Sequence, residues 1–454
     1  MSSEEKEYQT PSPPSLDAKK EHSQNPERLS NDSAEPQKHP LDQAEQDTSP
    51  SKPHDFGPAP DGGATAWLVA LGGGCLFFCC LGFSNSFGTF EQYYLTHQLR
   101  GYSPDTVAWI GSLSAFLQFA AGMVGGPLFD RFGAKVIRPA AVVYVLAMMM
   151  LSLCKTYWQI MLVQGILQGI VMGLLQFPAF AAVSQYFDKK RAAALGVVVS
   201  GSSIGGIVIP IALSKMLNNS ALGFGWSVRV VGFIVMPMMA FALVTVKARL
   251  PSRATSFWIP TAYKDPRYVL LIVSLLFTFL GMFTPLFYLP TYAVTRGMDP
   301  TLAGYLLAIL NAASTFGRII PGVLADKYGR LNVFALGSLG TAVVVFCMNL
   351  ARTNAVLIVY SVVFGFASGS IISGASAAFS ICCENPADMG TYMGMGMSIS
   401  ALGGLIGPPV NGVFVNQYGE FFEVSMFSGA MCLVGGCLAL STKLATPQGL
   451  FSRI

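Results

Sequence analysis

Two similar stretches decide how this chain is organised: GGPLFDRFGAK at residues 125–135 and PGVLADKYGRL at residues 321–331. Each contains Gly-x-x-x-Asp, then a basic residue, then a glycine two positions later. The aspartates, Asp130 and Asp326, are 196 residues apart. Because each stretch follows an apolar run, the sequence predicts two repeated halves that each carry one copy of the polar loop.

The composition outside these loops predicts a membrane protein. The 454 residues are 52% hydrophobic and 11% charged, whereas an ordinary soluble domain is about 25% charged. After residue 60, apolar runs of roughly 20 residues or more recur, and each is long enough to cross a bilayer as a helix. We identify twelve such runs. The predicted fold class is therefore all-α, with twelve transmembrane helices in two pseudo-symmetric six-helix bundles.

Composition divides the chain into five segments. Residues 1–60 are polar and predict a disordered cytosolic tail. The N-terminal bundle is expected at 61–247, a basic cytosolic linker at 248–267, the C-terminal bundle at 268–445 and a cytosolic end at 446–454. Lys and Arg are concentrated in the connections on the side of the tail, so the positive-inside rule places both termini in the cytosol.

Several functional classes lack support in this sequence. The net charge of +4, with no basic face interleaved with aromatic residues, gives no indication of nucleic-acid binding. We find no glycine loop for a nucleotide, no metal cluster and no Ser/His/Asp set, so we expect no enzyme, no cofactor and no metal. The nine cysteines lie mostly in apolar runs and are expected to be reduced. The sequon at Asn218 falls in a short loop and is a weak glycosylation candidate.

The two polar loops are expected to control conformation. Gly126 and Gly322 permit neighbouring helices to approach closely, and the later glycine of each loop permits a sharp turn. The aspartates and basic residues are expected to form a charge network that holds one conformation of a gate. The predicted gating residues are Gly126, Asp130, Arg131, Gly133, Gly322, Asp326, Lys327, Gly329 and Arg330.

Arg318 stands deep within a predicted span. It precedes Asp326 by eight residues, about 12 Å along a helix, and burial of an arginine there costs about 3 kcal/mol on insertion scales. Asn311, Ser314 and Gly322 share its helical face. A polar stripe on an apolar helix predicts an internal aqueous cavity, where a guanidinium can bind a carboxylate. The alternative is that Arg318 extends to the membrane interface or pairs with backbone carbonyls.

The repeated loops resemble the signature of the major facilitator superfamily. Two further stretches resemble the monocarboxylate porter family within it: DGGATAW at 61–67 and YFDKKRAAALGVVVSGSSIGG at 186–206. The resemblance spans about residues 60–445 and implies transport by alternating access, with Arg318 at the position of that family's carboxylate-binding arginine. Ser314 replaces the usual aspartate of the proton-coupled members, and span one has no lysine. The chain looks most like the fungal branch of the family.

The resemblance also implies that spans one, four, seven and ten line the cavity. The predicted substrate-binding residues are Arg318, Asn311, Ser314, Asn85, Gln164, Gln168, Tyr288 and Tyr292. The departures at Ser314 and in span one count against lactate-type proton symport, and because we find no Asp, Glu or His in the middle of a predicted span, a side-chain proton relay has no obvious members. Coupling through Glu91, coupling through the substrate's own acid group and simple equilibration remain open.

These observations favour a monomeric transporter in the plasma membrane. Its expected partners are the lipid bilayer and a small organic anion or weak acid, with or without protons. We favour export of an organic acid or secondary metabolite. Import of riboflavin or a monocarboxylate is the first alternative, and a non-transporting nutrient sensor is the second.

Overall fold

The computed structural model describes residues 59–218, 222–251 and 257–444, and this part of the chain contains helices and no strand. The predicted tail, except for residues 59 and 60, and the predicted C-terminal end lie outside the described residues. The helices of the first half are α1 (Gly63–Ser84), α2 (Phe87–Thr96), α3 (Pro104–Ala120), α4 (Gly122–Phe132), α5 (Ile137–Leu151), α6 (Tyr157–Ile160), α7 (Gln168–Tyr186), α8 (Arg191–Asn218) and α9 (Gly223–Thr245).

The second half continues with seven helices and is reached through a connection that begins after Thr245. Short 3₁₀ turns occur at Gly133–Val136, Pro260–Lys264, Cys347–Leu350 and Pro386–Asp388. The helices are α10 (Pro266–Met282), α11 (Thr284–Thr295), α12 (Pro300–Tyr328), α13 (Arg330–Phe346), α14 (Asn354–Phe379), α15 (Met389–Tyr418) and α16 (Phe422–Leu444).

The prediction of twelve spans is confirmed. Eleven stretches of the described chain are long and apolar enough to cross a membrane. One of them, Thr106–Leu151, has 46 residues, which as a single helix would be about 69 Å long, more than twice the hydrocarbon thickness of about 30 Å. It is broken by Gly133, whose φ is 63°, and by the 3₁₀ turn that follows. This stretch therefore makes two crossings, one by α3 and α4 and one by α5.

Four crossings are interrupted along their length, and one of them is span two, in which Ala121 separates α3 from α4. Residues 85 and 86 separate α1 from α2, Phe283 separates α10 from α11, and a π-helical segment at Met161–Leu167 lies between α6 and α7. Interrupted helices leave backbone groups that a regular helix would satisfy, and both breaks and π segments concentrate at functional sites. The interrupted crossings are spans one, two, four and seven, and three of these belong to the four spans predicted to line a cavity.

The two halves meet along two pseudo-equivalent seams. In the first seam α4 packs on α15, and in the second α12 packs on α8. A Cβ added to Gly394 would collide with the carbonyl oxygen of Gly122, and a Cβ added to Gly196 would collide with that of Arg318. Small residues therefore set the same close backbone approach in both seams.

Candidate functional site

Arg318 lies in the second seam and extends from α12 towards α8. The residue is 5% exposed. Its Nη1 donates to the carbonyl oxygen of Val199 at 2.8 Å and to the hydroxyl of Ser202. Its Nε has no hydrogen-bond partner among the described residues. The side chain therefore does not reach a membrane interface. It pairs with one backbone carbonyl of the opposite half and retains an unused donor.

Asn85 and Asn311, from opposite halves, converge on Gly206 of α8. A Cβ built on Gly206 would lie 2.9 Å from Nδ2 of Asn85 and 3.1 Å from Cγ and Oδ1 of Asn311. Asn85 is exposed at the break between α1 and α2, whereas Asn311 is buried and donates to the carbonyl of Leu307 at 2.9 Å. The structure thus brings two predicted site residues together, and glycine leaves the space between their amides.

The two predicted glutamines of span four point to different surroundings. Gln164 lies in the π segment, and its Oε1 accepts a hydrogen bond from the hydroxyl of Tyr94 at 2.7 Å. It lines a cleft of about 10 Å³ together with Ser114, enough for about one water molecule. Gln168 is fully buried, and its Nε2 donates to the sulfur of Met148 at 2.9 Å. Gln164 therefore lies near the break in span one, and Gln168 packs against α5.

The predicted residues Tyr288, Tyr292 and Ser314 are engaged within the second half. Tyr288 donates to the carbonyl of Pro408 at 2.8 Å. Tyr292 is fully buried with its ring centroid 5.3 Å from that of Phe421, and its hydroxyl has no partner among the described residues. Ser314 is 2% exposed, and its hydroxyl lies where α12 meets α14.

Asp130 caps a helix of the opposite half. Its carboxylate accepts hydrogen bonds from the N–H groups of Gly390 at 3.2 Å and Thr391 at 2.6 Å, and from the Thr391 hydroxyl at 2.7 Å. These groups belong to the first turn of α15, where N–H groups have no intrahelical partner and the helix dipole favours negative charge. A Cβ on Gly126 would collide with the Gly390 carbonyl. We call this contact the first lock.

Asp326 makes the matching contact in the second seam. Its two carboxylate oxygens accept from the N–H groups of Ala192 at 2.9 Å and Ala193 at 2.8 Å, in the first turn of α8. A Cβ on Gly322 would lie 2.7 Å from the Ala192 carbonyl. Arg330 adds an ion pair to Asp326 at 3.7 Å. We call this contact the second lock.

Both locks lie on one face of the molecule, which we call the loop face, because each loop follows an even-numbered span. The basic residues next to the aspartates lie over aromatic rings: Arg131 over Phe132 at 5.8 Å and Lys327 over Tyr328 at 5.3 Å. The charge network expected around these loops therefore includes Arg330 and the N-terminal ends of α8 and α15. The glycines that follow turn the chain with φ of 63° at Gly133 and 103° at Gly329.

A sequence profile decides the family of this chain. The profile of the Major Facilitator Superfamily matches residues 73–408 and 297–449. This chain belongs to the Major Facilitator Superfamily. It is therefore a multi-pass membrane transporter, in a family of transporters and not of enzymes.

Relatives within the superfamily include fungal efflux proteins. The aspyridones efflux protein of Emericella nidulans is 49% identical over 400 residues, which cover 88% of this chain and 82% of that protein. The agnestins efflux protein of Paecilomyces divaricatus is 37% identical over 393 residues, covering 85% and 89%. The crystal structure of the human organic anion transporter MFSD10 matches with a TM-score of 0.68 at 15% identity, over 83% of this chain and 100% of that chain. The last likeness shows the fold alone.

Sequence reasoning missed three features of this superfamily member. The partners of the two aspartates are the first turns of α8 and α15, and Gly206 is the meeting point of two asparagines. Gln118 of α3 is fully buried, with neither amide atom partnered among the described residues. It stands 196 residues before Ser314, the same offset as between the aspartates. If the 196-residue offset had been applied along the whole chain, it would have paired Gln118 with Ser314, one of the polar residues that share a helical face with Arg318.

The predicted glycosylation site lies next to a part of the chain outside the described residues. Asn218 is the last residue of α8, and the rest of its sequon lies outside the described residues. Its glycosylation stays a prediction.

Proposed function

We propose that this transporter, as a monomer in the plasma membrane, exports an organic acid or acidic secondary metabolite by alternating access, with Arg318 as the anion-binding residue. The observation that carries this proposal is the buried guanidinium between the two halves, with Nε unpartnered and Nη1 held by neutral groups. Two relatives named as efflux proteins support the direction. The motifs at 61–67 and 186–206 support the fungal branch of the monocarboxylate porters.

The partners of Arg318 explain why an anion can compete for it. A carbonyl and a hydroxyl are neutral acceptors, whereas a carboxylate offers two charge-assisted hydrogen bonds, each roughly twice as strong as a neutral bond. When the second seam opens, Val199 and Ser202 move away from α12 and leave the guanidinium without these acceptors. An anion is then the best replacement, since an unpaired buried charge is costly. Asn85 and Asn311, at Gly206, supply neutral donors and acceptors for the rest of the solute.

The two locks supply the conformational control. Both close the loop face, so a path from that face requires both to break while the two halves rotate about the site. The excess of Lys and Arg in the connections on the loop face supports a cytosolic position for this face and for both termini. The conformation described is then closed towards the cytosol. Export begins when the locks open and admit the acid to Arg318.

The test compares Arg318→Gln and Arg318→Lys with Arg229→Gln in sealed vesicles of both orientations. Arg229 is a matched control because it also lies in a membrane helix, donates to Ser152 at 3.1 Å and stacks on Trp226, within the first half. Arg318→Gln should lower transport of an acidic solute by about tenfold or more, the value of a charge-assisted hydrogen bond, and should spare its neutral amide. Arg318→Lys should fall between, since lysine cannot bind a carboxylate through a planar fork.

Full acid transport by both Arg318 variants would reject the anion site. Accumulation only in the orientation that corresponds to uptake would reverse the direction and favour the importer of riboflavin or a monocarboxylate. If Arg229→Gln lowered transport as much as the Arg318 variants do, any arginine in the membrane would matter equally. The special role of Arg318 would then be rejected.

A further inference from the structure

Asp61 holds the connection between α7 and α8. Its Oδ1 accepts hydrogen bonds from the N–H groups of Asp188 at 2.6 Å and Lys190 at 3.3 Å, and its own N–H donates to the carbonyl of Tyr186 at 3.1 Å. Asp61 has a φ of 51°, and it is the one non-glycine residue with positive φ in the described chain. Such a conformation persists only where surrounding contacts determine it. The DGG motif is therefore a clamp on residues 187–190.

The same connection is held from the other half of the molecule. The carbonyl of Asp188 accepts a hydrogen bond from Nη2 of Arg330. Arg330 also donates to the hydroxyl of Ser380 at 3.1 Å and lies 3.7 Å from Asp326. Asp326 in turn caps the first turn of α8, which begins directly after this connection. Residues 187–190 thus lie between the Asp61 clamp and the second lock.

Contacts within the first half also hold this connection. Arg191 donates from Nε to the carbonyl of Phe187 at 2.8 Å and pairs with Asp188 at 3.3 Å. The ring of Phe187 packs edge-on against Trp67, the last residue of the quoted motif, with centroids 5.1 Å apart. The motif at 61–67 and the motif that begins at 186 therefore form one structural unit.

Asp265 does not hold the first lock as Asp61 holds the connection before α8. Asp265 occupies the corresponding place before α10, but its side chain accepts from the N–H of Arg267 at 2.9 Å and pairs with that guanidinium at 2.9 Å. It caps its own helix and leaves the connection before α15 to other groups. Asp265 is therefore the natural control for Asp61.

We propose that Asp61 is a positioning residue for the second lock. It holds residues 187–190 so that the first N–H groups of α8 meet Asp326 and the Asp188 carbonyl meets Arg330. This inference rests on the proposed function only in treating the lock as part of the gate.

The test is a double-mutant cycle on the full chain in nanodiscs, without substrate. Spin labels at the exposed loop-face positions Lys135 and Tyr328, on a chain without reactive native cysteines, report the distance between the halves. Asp61→Ala should raise the fraction with an open loop face about fivefold, the usual value of a lost capping carboxylate. Asp61→Asn, which keeps an acceptor, should shift it less, and Asp265→Ala should leave it unchanged.

Asp326→Asn provides the deciding background. If Asp61 acts through the second lock, Asp61→Ala should add little to the open fraction of Asp326→Asn, since directly coupled residues are not additive. An equal shift in both backgrounds, or a loss of thermal stability with no change in distance, would overturn the proposal and leave an ordinary structural cap. Because no substrate is present, this outcome is independent of the test on Arg318.

Discussion

The two seams share a backbone arrangement but differ in their contents. Gly122 of the first seam stands 196 residues before Arg318 of the second, and their carbonyls face Gly394 and Gly196 in the same way. A Cβ on Gly122 would collide with the ring of Phe177, so the first seam is filled by packing. In the second, a guanidinium crosses to α8. The repeat sets the frame of both seams, and one side chain makes the second the candidate for sensing an anion.

The two locks, like the two seams, differ in the side chains that form them. Asp130 is 3% exposed and has a neutral hydroxyl among its donors. The side chain of Asp326 is 10% exposed, has two backbone donors, and lies beside a charged group, Arg330. The first lock is therefore the more buried of the two, and the ion pair with Arg330 adds a contact between opposite charges to the second. Substitutions in each seam can separate the two locks or show them to be alike.

The largest effect is expected for Gly394→Ala. Its Cβ would collide with the backbone carbonyl of Gly122, so the first seam cannot close as described. Transport of the acidic solute should fall by at least about tenfold, because backbone cannot move aside as a side chain can. Gly304→Ala on α12 is the control, since nothing lies within 4 Å of an added Cβ there. It should transport normally and be slightly more stable in a thermal melt.

A smaller effect should separate Asp130→Asn from Asp326→Asn. Loss of the Asp130 charge removes charge-assisted bonds that are worth about 1.5–3 kcal/mol each in a buried site. Asp326→Asn should cost less, since its carboxylate is partly screened. Spin-label distances across the loop face should therefore show a larger open fraction in Asp130→Asn. Equal open fractions would mean that burial does not distinguish the locks.

Thr391→Val should weaken the first lock without abolishing it. It removes one of the bonds to Asp130 and keeps the shape of the side chain, so the cost should be about 1.5 kcal/mol, the lower end for a hydrogen bond to a charged group. The same distance measurement should show an open fraction about ten times that of the parent chain. An unchanged fraction would assign the strength of this lock to the backbone N–H groups alone.

The smallest effect is expected from salt. Raising the ionic strength from about 0.05 to 1 M shortens the screening length to about 3 Å, so the Asp326–Arg330 pair should weaken and the open fraction should rise by about twofold. Arg330→Gln should remove this dependence. A salt response that persists in Arg330→Gln but disappears in Asp130→Asn would assign the charge-dependent contact to the first lock.

The sequence alone identified two kinds of residue: those that lie in a repeated motif, and those whose burial in an apolar helix costs free energy. Asp130 and Asp326 were predicted because the same loop occurs twice, and Arg318 because one arginine burdens an apolar helix. Their partners could not be predicted, since the first turns of α8 and α15 carry no distinctive side chain. A backbone N–H at Ala192 or Gly390 becomes a partner only when two distant helices approach. Gln168 and Tyr292 show the reverse case: both are polar residues in suitable spans, and both are buried within their own halves.

The amino-acid sequence by itself determined that this chain crosses a membrane twelve times, in two related halves with charged loops on one face. Hydropathy, charge bias and an internal repeat are properties that need no contact between distant residues. Only the tertiary structure decided that each aspartate caps a helix of the other half, that two asparagines meet over Gly206 and that Arg318 crosses to α8. Those pairings depend on how closely small residues let the helices approach and on how each helix is rotated.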